Sequence, residues 1–203
     1  MFEAGQTPRY VHFLTSGIAS TVTVMGGGDG VEVGLTGREG LPQALHLLGP
    51  ERGDTRAFMQ VAGTGLCMEF KPFEREFRQN PALNAAVLRY AQCEALVMGQ
   101  LAACNRLHEI EERLARWLLM VADRTGDLAM VLTQELLAEI LRTRRSNVTI
   151  SASALQRSGF IDYKRGHIEI LDRERMVDAA CERYPITRRL LVSLSLLNHA
   201  TFP

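Results

Sequence analysis

Cysteine is scarce in this 203-residue chain. There are four, Cys67, Cys93, Cys104 and Cys181, scattered and without a C-x-x-C pair. That excludes the usual zinc ribbons, iron–sulfur runs and disulfide scaffolds and favours a reducing compartment, the cytoplasm. Free cysteine is among the most buried residue types, so all four are expected to be small core residues. No apolar run approaches the roughly 18 residues of a membrane span, and no basic leader precedes an apolar stretch. Neither a membrane segment nor a signal peptide is expected.

Net charge is lacking too. Lys+Arg and Asp+Glu number 23 each, so total charge names no partner and only its distribution can. Recognisable site chemistry is also sparse. His12, His46, His108, His167 and His199 show no H-x-x-x-H spacing. Gly26-Gly27-Gly28-Asp29-Gly30 precedes neither Lys-Ser/Thr nor a helix, so it is a turn and not a phosphate loop. Ser16 has no G-x-S-x-G frame, and Glu111, Glu112 and Glu174 read as charged helix-face residues. No enzyme, metal site or cofactor is expected. With 46% hydrophobic and 23% charged residues, the composition is that of a folded globular chain.

What is present changes texture along the chain. Residues 1 to about 75 read as short strands broken by glycine turns. Ile18 to Met25 and Val31 to Leu35 flank the glycine-rich turn and predict a hairpin. Arg56 to Val61 and Leu66 to Phe70, split by Ala62-Gly63-Thr64-Gly65, predict a second. Many short strands at this spacing point to a barrel or sandwich. Leu41 to Leu48 reads as a short apolar turn.

From Pro81 to about His108 the sequence reads as one long helix. Leu83, Val87, Tyr90, Glu94, Val97, Leu101, Cys104 and His108 repeat at 4-3 spacing, the period of a coiled-coil seam. Two readings stand: the helix packs on its own domain, or it pairs with a second copy through Leu83, Val87, Tyr90, Val97, Leu101 and Cys104. The second is favoured, because nearly four heptads is long for a helix covering a small barrel.

Residues 111 to 172 carry a third pattern. An amphipathic helix around Glu111–Met120 precedes Gly126. A second follows from Leu132 to Leu141, N-capped by Thr133. A third runs from beyond Arg142-Thr143 to about Arg157. Ser158-Gly159 stops it, and Phe160–Tyr163 and His167–Leu171 form a hairpin about Lys164-Arg165-Gly166. Asp172 caps a further helix, and Ile186–His199 is another. Helix, tight turn, helix and hairpin is the layout of a winged helix-turn-helix. Ala138 supplies the small residue at the helix crossing and Val148 the inward apolar residue. Arg142 occupies the turn position where a left-handed backbone, and so usually glycine, is expected.

Between Arg142 and His167 the cations are Arg142, Arg144, Arg145, Arg157, Lys164 and Arg165, against one acid, Asp162. An electroneutral chain that gathers charge in this way suits a nucleic-acid duplex, where neutralising phosphates releases counterions. Thr133, Arg142, Thr143, Arg144, Arg145, Ser146, Asn147 and Thr149 are the candidate DNA contacts on the helix-turn-helix. Arg suits guanine and Asn adenine. Lys164, Arg165 and His167 at the wing suit phosphate.

At these residues the sequence resembles the Crp/Fnr family of bacterial transcription regulators over nearly its whole length. The strongest segments are Val11–Ile18, Val31–Gly40, Arg113–Leu119 and Leu132–Ile161. The resemblance implies an α+β chain with a partial N-terminal jelly roll like a cyclic-nucleotide-binding domain, a long dimerisation helix and a C-terminal winged helix-turn-helix. Their expected bounds are 1–80, 81–110 and 111–184, with a helical tail over 185–203. It implies a homodimer on a pseudo-palindromic operator of double-stranded DNA, with Arg145, Ser146 and Thr149 on the base-reading face. RNA polymerase is a further expected partner.

Departures from the family pattern bear on the effector. Family members begin earlier in the jelly roll, so the first strands of that fold are expected to be absent. In the stretch matching the cyclic-AMP phosphate site, Leu41–Leu48 followed by Thr55-Arg56-Ala57, Arg56 remains but its partners do not. Met98 and Gly99 stand where the cyclic-AMP receptor has the Thr-Ser pair that reaches the purine, and neither donates a side-chain hydrogen bond. Arg56 and Met98 are the effector-site candidates, and cyclic AMP is not the expected effector. The alternatives are a ligand-blind truncated regulator and a small-molecule-binding module without DNA binding.

Overall fold

The computed structural model describes residues 1–26, 30–49 and 53–199. The chain forms two compact units, Met1–Gly99 with the C-terminal end from Arg189, and Gln100–Arg188. No helix among the described residues is long and apolar enough to cross a membrane.

The first unit holds β1 (Tyr10–Leu14), β2 (Ile18–Val24), β3 (Gly30–Thr36), β4 (Thr55–Val61) and β5 (Gly65–Glu69). A 3-10 turn, Ala44–Leu47, lies between β3 and β4. All pairings are antiparallel. The predicted β2–β3 hairpin forms, with Val24 opposite Gly30, although Gly27–Asp29 of its turn lie outside the described residues. The second predicted hairpin does not form. β4 pairs with β2 and β5 with β1, giving sheets of order β3-β2-β4 and β1-β5.

The reason lies at one corner. Leu14 opposes Gly65 and Ile18 opposes Val61, so β1–β2 and β4–β5 form one antiparallel ribbon whose runs both bend, at 15–17 and 62–64. The Thr15 and Ser16 amides donate to the Thr64 carbonyl at 2.9 and 3.1 Å. The Thr15 and Thr64 hydroxyls lie 2.8 Å apart. Glycine is required here: a Cβ on Gly63 would stand 2.1 Å from the Ser16 carbonyl oxygen, and one on Gly17, at φ +79°, 2.6 Å from that of Val61.

Helix α1 (Phe70–Gln79) begins at Phe70, where the sequence pattern predicts the end of a strand, and follows β5 directly. Its buried face is Phe70, Phe73 and Phe77, and Phe73 meets Phe13 of β1 edge-on at 5.5 Å. Asn80 ends α1 in an extended conformation, as a residue before proline should, and caps α2 (Pro81–Leu107). Its Oδ1 accepts from the Ala82 and Leu83 amides at 3.0 and 3.1 Å, with Pro81 at the favoured first helical position.

The second unit packs α3 (Ile110–Thr125), α4 (Gln134–Ile140), α5 (Arg145–Arg157) and α6 (Arg173–Ala179) with β6 (Ala129–Val131), β7 (Ile161–Lys164) and β8 (His167–Ile170). Helix α7 (Tyr184–His199) begins here. Leu114, Leu118, Leu119, Leu137, Val148, Leu155, Ile161 and Ile168 form its core. The predicted caps hold: Thr133 Oγ1 accepts from the Leu136 amide and Asp172 Oδ1 from that of Arg175. The expected two-stranded wing has a third strand, β6, so the order is β6-β8-β7.

Correcting the cysteine expectation, Cys67 is exposed, whereas Cys93, Cys104 and Cys181 are buried. Cys67 sits on β5, every residue of which faces solvent.

Candidate nucleic-acid interface

The turn between α4 and α5 is fixed by backbone chemistry. The Thr143 amide bonds the Ala138 carbonyl at 3.0 Å and the Arg142 amide that of Glu139 at 3.2 Å. This is the Schellman pattern, which needs a left-handed residue after the helix cap. Arg142 supplies it at φ 47°, as the sequence reading required. Arg113, buried on α3, donates from Nη2 to the Leu141 carbonyl at 2.6 Å, tying the end of α4 to the core. Burial holds that guanidinium below its ordinary pKa.

With Val148 fully buried and Leu155 and Ala152 beside it on the inner face, the other face of α5 is turned to solvent. Arg144, Arg145, Ser146, Asn147 and Thr149 are all exposed. Arg144 is the N-cap and its side chain caps nothing. The amides of the first turn therefore add their partial positive charge to the guanidinium groups. Thr133 and Arg142 are exposed and Thr143 is half-buried. Asn147 Nδ2 donates to Thr143 Oγ1 at 2.9 Å, and Thr149 Oγ1 donates to the Arg145 carbonyl at 3.0 Å.

At the wing, β7 and β8 are joined by Arg165 and Gly166, at φ 51° and 81°. Two successive left-handed residues make the hairpin turn that matches strand twist. Lys164, Arg165 and His167 are exposed there. Lys164 is paired with Asp162 at 2.9 Å. Arg145 of α5 and Arg165 of the wing line one groove of about 380 Å³, together with Thr133, Gln134, Glu135, Tyr163 and Gly166.

Two polar partners of Arg145 in that groove are not among the candidates from sequence. Glu135 Oε1 pairs with Arg145 Nη1 at 2.7 Å, and Gln134 Oε1 accepts from Arg145 Nε at 3.2 Å and Thr149 Oγ1 at 3.1 Å. Counting charge from Arg142 onward leaves both out. The helix-turn-helix itself brings the first turns of its two helices together, and that geometry was the available signal.

The remaining candidates are dispersed. Arg56 lies on β4 with its Cζ 5.5 Å from the Phe58 ring centre and a buried Nε without a hydrogen-bond partner. Met98 is half-buried on α2, and among the described residues no polar contact joins the two. The seam proposed for pairing two copies is already covered within the single chain. Val87, Tyr90, Val97, Leu101 and Cys104 are buried and Leu83 half-buried. Tyr90 Oη lies 2.9 Å from Thr36 Oγ1, and its ring fills the space a side chain at Gly40 would take. A coiled-coil period marks the inner face of a helix as readily as a partner-facing one, and here it marks the inner face.

Glu94 lies on that same inner face, with Oε1 near Gly34 and Oε2 lacking a partner. Burial, helped by the Glu39 carboxylate, raises its carboxyl pKa to about 8.

Residues 112–179 match the family model of the Crp-like helix-turn-helix domain. Solved structures agree over more of the chain. A putative Crp/Fnr-family transcriptional regulator from Eubacterium rectale superposes with a TM-score of 0.66 at 16% identity, covering 87% of this chain and 81% of that one. The c-di-GMP-responsive global regulator CLP of Xanthomonas campestris gives 0.65 at 12% identity, covering 85% and 89%. FixK2 from Bradyrhizobium japonicum gives 0.65 at 13%, covering 89% and 92%. No curated protein matches by sequence. The C-terminal unit thus carries a helix-turn-helix of the Crp-like type. The chain as a whole has the α+β fold of these solved Crp/Fnr-type structures.

Proposed function

We propose that this protein is a homodimeric, sequence-specific double-stranded-DNA-binding transcription regulator acting in the cytoplasm. The reading rests on one observation: the candidate contacts of the recognition helix and wing are exposed together, and Arg145 and Arg165 line a common groove. The N-terminal end of α5 enters the major groove, with Arg145 reading a base and Ser146, Asn147 and Thr149 beside it. Arg142, Arg144, Lys164, Arg165 and His167 contact phosphate and set orientation.

Dimerisation uses the outer face of α2. Ala85, Leu88, Gln92, Ala95, Gly99 and Ala102 recur there at 3-4 spacing and are all exposed. Leu88 and Leu96 are 45% and 49% exposed. Small residues let two helices approach closely, and two copies then present their recognition helices to half-sites about 34 Å apart.

Selection of bound sites from a random DNA pool tests this reading, and an inverted repeat is the expected product. Arg145→Ala should cost roughly 1–3 kcal/mol and relax preference at one position per half-site. Affinity should fall with salt at a log–log slope of about −0.9 per phosphate contact. A protein that binds no duplex at low salt, or binds with no salt dependence, is not this regulator.

A further inference from the structure

Away from the DNA-facing surface, three side chains with metal-binding atoms meet in the second unit. Cys104 and His108 are four residues apart at the end of α2, one helical turn, so both fall on the same side of the chain. The His108 amide keeps the helical bond to the Cys104 carbonyl at 3.1 Å. Cys181 arrives from the segment between α6 and α7. The sulfurs of Cys104 and Cys181 lie 3.7 Å apart, and the ligand atoms of Cys104, His108 and Cys181 all lie within 4.8 Å of one another. We propose that Cys104, His108 and Cys181 form a binding site for one thiophilic divalent cation of the zinc type.

Four features carry this inference. A tetrahedral zinc ion with sulfur bonds of about 2.3 Å separates its two sulfurs by about 3.8 Å, which is the spacing this fold already holds. Both cysteines are buried, at 0% and 2% exposure, so the position is pre-formed and shielded from oxidants. His108 Nε2 lies 3.0 Å from Glu182 Oε2, while its Nδ1 is buried and has no hydrogen-bond partner. That leaves Nδ1 as the free ligand atom and makes Glu182 the carboxylate that orients the ring, an arrangement common around bound zinc. Finally, the buried Arg116, whose charge acts on both Cys104 and Cys181, has Nε and Nη1 without partners. Two thiolates around a dication sum to zero charge, so the ion adds no net repulsion to that guanidinium. Glu182, 65% exposed, marks the solvent edge, where a fourth ligand, carboxylate or water, completes the sphere. Such an ion ties the last turn of α2 to the segment entering α7, and the site stands whether or not the protein binds DNA.

Reduced full-length protein, stripped by a chelator, is titrated with Co2+ and then with Zn2+. The expected result is one Co2+ per chain, with thiolate-to-cobalt charge-transfer bands and the ligand-field absorption of a tetrahedral site, both bleached by Zn2+. On loading, the slow labelling of Cys104 and Cys181 by a thiol reagent, which needs local opening of the fold, is suppressed further while exposed Cys67 still reacts at once. Cys104→Ser and Cys181→Ser lose the charge-transfer bands, Cys67→Ser keeps them, and His108→Ala weakens binding at least tenfold. If the serine variants fail to fold, the native chain decides the matter alone. Folded, reduced protein that takes up no Co2+, or takes it up without thiolate bands, overturns the proposal. So does a protein whose only response is a Cys104–Cys181 disulfide on oxidation.

Discussion

Glu94→Gln isolates the cost of a buried carboxyl. Glu94 is 8% exposed on the inner face of α2, and burial first, then Glu39, raises its pKa from the ordinary 4.5 to about 8. Because the folded value lies above the unfolded one, the group's contribution is intact below about pH 4.5 and is lost as pH rises toward 8. In that window the unfolded chain is ionised and the folded one protonated, so each pH unit costs about 1.4 kcal/mol. Glutamine has the same shape and stays neutral in both states. Relative to the native chain, the variant should be more stable by about 0.7 kcal/mol at pH 5 and about 4 kcal/mol at pH 7.5. Denaturant unfolding of both proteins at the two pH values measures the difference, in which other titrating groups cancel. A gap that does not change with pH refutes the burial reasoning. A variant less stable at pH 7.5 would mean that the carboxylate is ionised and paired.

Three further outcomes are expected. Glu135→Gln releases Arg145 from an exposed ion pair worth about half a kcal/mol or less, so affinity for random duplex rises by at most a few-fold in a mobility-shift titration; weaker binding would make Glu135 a DNA contact. Arg142→Gly relieves a left-handed arginine and should raise stability by about 1 kcal/mol, seen as a higher melting temperature. Gly63→Ala drives a methyl group into the Ser16 backbone and should cost more than about 2 kcal/mol, with unfolding measured by circular dichroism.

The second unit was the more legible half of the sequence. Its helices, caps and turn are settled by residues close in the chain: Thr133 and Asp172 cap, Gly126 ends α3 at φ 74°, and the helix-to-helix turn needs only a left-handed residue at 142. The first unit depends on partners distant in sequence. Strands β4 and β5 look like a hairpin because only the three residues Ala62-Gly63-Thr64 separate them, and only the contact of 62–64 with 15–17 redirects each to another strand. Phe70, Phe73 and Phe77 had the helical spacing of α1 but followed a strand without a break. On α2 the hydrophobic period was legible, and the residues it marks are buried within the single chain. The outward face, Ala85 to Ala102, is built of small residues that give little hydrophobic signal. Cys104 and His108 stand one helical turn apart in the sequence, but Cys181, the third member of the cluster, is brought beside them only by tertiary folding.

The corner of the first unit has a mechanical consequence. Its two sheets are continuations of the same pair of strands, and three residues in each strand make the passage. No slack loop lies between them to absorb a shear. A ligand that tilted β1 and β5 would pull directly on β2 and β4 through the Thr15–Thr64 hydroxyl pair, so the sheets shift as a coupled lever or not at all.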